Sequence, residues 1–129
     1  MGTFAFDVTS EPGIIRMVLK GTFGVTEMRK FVVAHNRAVD SMGQQPYRVW
    51  VDIRELLPIS PECTEIMEEA KRYSAARPNF RGSAVFVASA TVALQHRRTS
   101  VSGGVMGSEL ISNDEAELRE HLATVNRFT

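Results

Sequence analysis

The block from Tyr47 to Tyr73, YRVWVDIRELLPISPECTEIMEEAKRY, constrains the fold more than any other part of this chain. Val49-Trp50-Val51 is apolar at consecutive positions, so both faces of that stretch need cover. Asp52 closes the run, and eight residues later Ser60-Pro61-Glu62 opens an amphipathic helix. Serine suits the N-cap, proline the first helical position and glutamate the positive end of the helix dipole. A two-sided strand, a short crossover and a capped helix predict a parallel sheet. The carboxyl end of such a strand is where open α/β folds place ligand or partner sites.

The flanking segments extend this pattern. Phe4, Phe6 and Val8 alternate with Ala5, Asp7 and Thr9, which predicts a strand with one buried face. Ser10-Glu11-Pro12-Gly13 reads as a turn, and Ile14–Phe23 as a second strand closing an antiparallel hairpin. A helix capped by Thr26 follows. Met28, Phe31, Val32, His35, Ala38, Val39 and Met42 form its core stripe, and Gly43 ends it. The third strand spans Arg48–Ile53. The helix from Ser60 presents Ile66, Met67, Ala70 and Tyr73 inward and stops at Arg77-Pro78-Asn79. Ser83–Ala88 is the fourth strand. A short helix from Ser89 or Thr91 to Arg98, a glycine loop at 103–107 and a short strand at Leu110-Ile111 come next. Ser112-Asn113-Asp114-Glu115 is a capping pattern for a last helix that turns Ala116, Leu118, Leu122 and Val125 inward. The expected fold class is α/β: a four- to five-stranded mixed sheet with an N-terminal antiparallel hairpin, then β-α-β-α-β-α-β-α, in one domain over residues 1–129.

Charge narrows the partners. Lys plus Arg and Asp plus Glu number 15 each, so no net field draws nucleic acid or an anionic membrane. No apolar run reaches the roughly 20 residues a bilayer span needs, and MGTFAFDVTSEPG lacks the pattern of a secretion signal. The lone Cys63 agrees with a reducing, cytoplasmic setting.

No complete catalytic, metal or cofactor motif is present. The glycines at 103, 104 and 107 lack a phosphate-loop context, and His35, His96 and His121 have no zinc-ligand spacing. Cys63 falls in a helical stripe, where packing is the ordinary role of a free cysteine. Glu65, Glu68, Glu69, Lys71 and Arg72 read as a solvated helix face with a Glu68–Arg72 pair, and His96-Arg97-Arg98 as a solvated helix end. Asp52 and Ser60 are the pair of greatest interest, one ending the strand and the other starting the helix.

The strand order, the Val49-Trp50-Val51-Asp52 strand, the helix opened by Ser60 and the ending Glu109-Leu110-Ile111-Ser112-Asn113-Asp114-Glu115-Ala116 together resemble the STAS superfamily. The stand-alone anti-sigma-factor-antagonist branch typified by SpoIIAA is the most similar. The resemblance covers nearly the whole chain. It implies a bacterial regulatory module with a protein partner. In phosphoswitch members the strand aspartate is followed by Asp-Ser-Ser-Gly or a close variant; here the same offset reads Ser60-Pro61-Glu62-Cys63. No hydroxyl stands at the switch position. Glu62 puts a fixed negative charge near it, with Ser60 and Thr64 as the neighbouring hydroxyls.

Three functional readings follow. The first is a non-enzymatic regulatory or interaction module that presents Arg54 to Glu62 and the adjoining helix to a protein partner, with Asp52, Arg54, Ser60, Glu62 and Thr64 as the candidate contacts and a homodimer as a further association. It uses no cofactor, metal, nucleic acid or membrane. The second is a nucleotide or lipid carrier with its ligand between the Asp52–Glu62 loop and Gly103–Gly107. The third is a small enzyme using Asp52, Cys63 or a histidine.

Overall fold

The computed structural model describes residues 1–128; Thr129 lies outside the described residues. The elements run β1 (Thr3–Asp7), β2 (Ile14–Gly21), α1 (Val25–Ser41), β3 (Tyr47–Leu56), α2 (Pro61–Ala75), β4 (Phe80–Phe86), α3 (Ala90–Gly103), a 3₁₀ turn at Met106–Ser108, β5 (Glu109–Ser112) and α4 (Glu115–Thr124). The five strands lie in the order β1-β2-β3-β4-β5. β1 is antiparallel to β2, and every other neighbour pair is parallel. This is the mixed sheet with an N-terminal hairpin that the sequence predicts. The hairpin turn closes where Ile14 N–H donates to Glu11 O at 3.1 Å, with Gly13 at φ +75°.

Consecutive apolar residues in β3 serve the two sheet faces. Val49, Val51 and Ile53 join Met28 and Phe31 of α1 and Ile66, Met67 and Ala70 of α2 in the larger core. Trp50 points the other way, into a smaller core with Ala84, Phe86, Leu118 and Leu122 under α4. Trp50 and Phe86 meet edge to face at 6.0 Å. One ten-residue helix is too narrow to cover that face. Three guanidinium groups extend the cover: Arg16 and Arg119 lie over Trp50 at 5.4 and 5.2 Å, and Arg54 lies over Phe86 at 4.3 Å.

Several boundaries differ from the sequence expectation. Gly24, not Thr26, is the N-cap of α1, because the Glu27 carboxylate accepts from Gly24 N–H at 2.8 Å and fixes the first turn from within. β3 runs on to Leu56 because the end of β2 keeps pairing with it, Lys20 with Glu55 and Gly21 with Leu56. α3 continues past Arg98 to Gly103. Its last turns bury Thr99 and Ser100, and the Thr99 hydroxyl donates back to His96 O at 2.6 Å, a polar burial that hydrophobic patterning does not register. Asp114 caps α4, and Ala116 faces solvent.

β4 starts earlier than the pattern suggests and carries a bulge. Tyr47 pairs with Phe80 and Arg48 with Gly82, so Arg81 is the extra residue. Arg127 straps the bulge down. Its backbone N–H donates to Arg81 O at 3.0 Å, while its guanidinium donates to Phe80 O at 2.8 Å, Ala75 O at 3.0 Å and Arg77 O at 2.5 Å. Gly82 sits at φ +155°, and a Cβ there would lie 2.6 Å from the Val125 methyls and 2.9 Å from Ser108 O. Gly82→Ala is therefore expected to cost about 1–3 kcal/mol through backbone strain and displacement of the segment after α4. Urea denaturation of the two proteins checks this; equal midpoints would contradict the role given to the bulge.

Candidate functional site

The site begins at the carboxyl end of β3. The Asp52 side chain is mostly buried on the Trp50 side of the sheet, and Arg54 closes over it. Oδ1 accepts from Arg54 N–H at 3.1 Å and from Nε–H at 3.0 Å, and Oδ2 accepts from Nη2–H at 2.7 Å. The Arg54 hydrogen bonds hold the Asp52 carboxyl below the usual carboxylate range. Asp52 therefore anchors Arg54, and Arg54 in turn roofs Phe86.

Helix α2 opens on the opposite side of the sheet. Ser60 Oγ accepts from Cys63 N–H at 3.1 Å, the expected cap. Thr64 Oγ1 donates to Ser60 O at 3.1 Å. Both hydroxyls that flank Glu62 thus have local partners, and Glu62 itself is exposed. The structure does not bring Asp52 and Ser60 together: Asp52 faces Arg54 and the α4 side, whereas α2 packs on Val51 and Ile53. Cys63 is 1% exposed with its thiol directed at Phe23 O, which places it in the core rather than in a reactive position.

α3 fixes the loop between β3 and α2. Gln95 accepts from Ile59 N–H at 3.0 Å and donates to Ile59 O at 2.8 Å, so one side-chain amide satisfies both backbone groups of a loop residue. Ile59, Pro61, Thr64, Glu65, Gln95 and Arg98 line a shallow groove of about 280 Å³ between the start of α2 and α3. Leu57 and Leu94, in the same two segments, are 53% and 51% exposed. Gln95 thereby ties this loop to α3 beside the groove.

Behind it lies a cluster that sequence reasoning missed. Lys71 is not on a solvated face. Its ammonium donates to Glu109 Oε1 at 2.8 Å, Ser100 Oγ at 2.7 Å and His96 O at 3.4 Å. Ser83 Oγ donates to Glu109 Oε2 at 2.7 Å, and Ser100 Oγ also donates to Oε1. His96 is likewise buried, leaving only Arg97 and Arg98 of that basic triplet exposed. Burial alone would raise the Glu109 carboxyl; the charges of Lys71 and His96 and the hydrogen bonds from Lys71 and Ser100 outweigh it and hold Glu109 low. Burial drives His96 down to about 3, helped by the Lys71 charge, so its imidazole is neutral at pH 7. His35, Lys71, Ser83, His96 and Glu109 line an internal cavity of about 40 Å³ with Met17, Phe31, Met67 and Phe80. It lies under α2 against the sheet rather than between the two loops where a carrier's ligand was expected. Ligand pockets of drug size measure roughly 300–1,000 Å³. Among the described residues, no group of three or more His, Cys, Asp or Glu is placed to hold a metal ion. No helix is long and apolar enough to cross a membrane.

The geometry matches a known architecture. A solved structure, described as an anti-sigma factor antagonist from Mycobacterium paratuberculosis, superposes with a TM-score of 0.63, covering 95% of this chain and 96% of that one at 10% sequence identity. The fold is the STAS fold of anti-sigma factor antagonists. No protein-family model matches the chain, and no curated protein matches it by sequence. The STAS resemblance read from strand order and the Val49–Asp52 strand is thus met at the level of fold, where structure persists at an identity too low for sequence matching.

Two outcomes test the buried cluster. Lys71→Met leaves the Glu109 carboxylate buried without its cation and is expected to cost about 3–5 kcal/mol, while the Lys71→Met/Glu109→Leu double variant recovers most of that loss. Urea denaturation of the set reads the coupling. The second outcome concerns acid. His96 binds its proton less readily folded than unfolded, so stability is full above the ordinary histidine value of 6.5 and falls as pH drops toward about 3. His96→Gln should flatten the stability–pH curve across that window, leaving the share due to His35, which burial also lowers.

Proposed function

We propose that this protein is a non-enzymatic regulatory module that acts by binding another protein through the start of α2 and the neighbouring part of α3. The observation that carries this reading is the 280 Å³ groove beside a loop pinned by Gln95, together with the exposed Leu57 and Leu94 of the same two segments. The fold shared with an anti-sigma factor antagonist supports a partner of the anti-sigma-factor kind. Glu62 is its exposed charged contact, and Ser60 and Thr64 hold the helix start that presents it; Arg54, held by Asp52 over Phe86 on the α4 side, stands apart from this face.

The reading differs from a phosphoswitch in a specific way. Glu62 is a permanent charge where switch members of the resembling family carry a modifiable hydroxyl, and Ser60 and Thr64 have helix-end roles. Binding in this module is then set by the abundance of the two proteins rather than by phosphorylation. A nucleotide or lipid carrier has less support, since the internal cavity holds about 40 Å³.

The test is affinity capture from extract of the source cells, with cross-linking to retain transient complexes. Wild-type protein is expected to recover one stoichiometric partner, and Leu57→Asp/Leu94→Asp to lose it while keeping the wild-type melting curve. Recovery of no partner, or equal recovery by the double variant, overturns the proposal. Ser60→Ala separates cap from switch: stability should fall by about 0.5–2 kcal/mol with partner recovery unchanged.

A further inference from the structure

The opposite edge of the molecule carries a second feature, remote from α2. β1 is an edge strand, and its outer backbone groups pair with no other strand among the described residues. Beside it, α1 leaves a groove of about 560 Å³ lined by Phe4, Thr26, Arg29, Lys30, Val33, Ala34 and Arg37. The floor is apolar: Phe4 packs edge to face on Phe31 at 5.7 Å with part of its ring open, and Val33 is 52% exposed. The rim is cationic. Among the described residues, no hydrogen bond, ion pair or ring contact engages the Arg29, Lys30 or Arg37 side chains, and all three are exposed. The acids of α1 lie elsewhere. Glu27 is turned to Gly24 N–H at 2.8 Å, and Asp40 pairs with Arg77 at 2.5 Å. Asp7 of β1 accepts from the Thr9 and Ser10 amides, both at 3.0 Å.

The dimensions fit an extended chain. Five residues of β1 span about 16 Å, and the helix rises about 16 Å from Thr26 to Arg37. We propose that the groove between β1 and α1 binds an extended acidic segment of a partner protein, which adds as a further strand along β1 and lays alternate carboxylates against Arg29, Lys30 and Arg37. Main-chain hydrogen bonds to the edge supply affinity and the cations supply selectivity for acid, while the side chains of the other parity point to the opposite face of the sheet. A second copy of this chain fits less well, because the two-fold axis that pairs two β1 edges antiparallel stands normal to the sheet and brings both rows of cations together on one face. Nucleic acid also fits less well: three cations beside a bare strand edge offer few phosphate contacts and no stacking surface beyond half-covered Phe4.

The experiment is an NMR titration of amide-labelled protein with a blocked peptide of alternating glutamate and valine, about as long as β1. Expected are shifts at the β1 amides and along Arg29–Arg37, with an affinity at least about tenfold weaker for Arg29→Glu/Lys30→Glu/Arg37→Glu. These side chains are exposed and unpaired, so the variant should keep its wild-type circular dichroism. A peptide methylated at alternate backbone nitrogens should lose binding to the wild-type protein, a readout independent of any variant. The proposal is overturned by no shifts at millimolar peptide, by equal binding of the methylated peptide, by a β1-mediated dimer in light scattering, or by single-stranded nucleic acid competing for the same amides. Leu57→Asp/Leu94→Asp should leave this titration unchanged, so its failure and that of the α2 reading are separable.

Discussion

The buried Lys71–Glu109 pair is the interaction on which the arrangement of the helical layer depends. It ties α2 to the last strand, and through Ser100 and the His96 carbonyl it draws α3 into the same cluster. Ser83 brings in β4. Four elements therefore share one ionic centre, in an interior where an unpaired charge would be prohibitive. Apolar packing between α2 and the sheet tolerates some sliding; a lysine with three acceptors at fixed directions does not. The cluster sets the depth and rotation of α2, and with them the position of its exposed first turn.

Local chemistry was readable from the residues in order, and long-range chemistry was not. Val49-Trp50-Val51 announces two covered faces, and Ser60-Pro61 announces a helix start, because the cause lies within a few residues of the effect. The sheet order follows from the same signals, since crossovers of helical length leave few alternatives. Lys71 looked like one charge among several on a helix face. Its partner is 38 residues away, and nothing near either residue marks the pairing. Gln95 and Ile59 are 36 residues apart, and glutamine has no patterned role on a helix surface. The Arg81 bulge was equally silent: its cause is the approach of Val125 and Arg127.

The candidate site repeats that division. Sequence reading anticipated the serine cap, which Ser60 forms with Cys63 N–H. It also joined Asp52 to Ser60 because they bracket one loop. Strand alternation separates them, turning the Asp52 carboxylate toward α4 while the helix it leads to packs behind the sheet. Closeness along a crossover does not imply a shared face. What remains at the start of α2 is a surface built by backbone placement, with Gln95 serving the loop as a neighbouring strand would.

The Arg127 strap has a kinetic side. Its guanidinium bonds join residues 47 to 52 positions apart, reaching the C-terminal end of α2 and the start of β4. Contacts of such separation carry a large loop-closure cost and form after local helices and the hairpin. The bulged end of β4 is therefore among the last places to acquire its native hydrogen bonds during folding. Run in reverse, loss of this one side chain's grip frees carbonyls on two elements together, so the seam between α2 and β4 is where a partially open form of the molecule would begin.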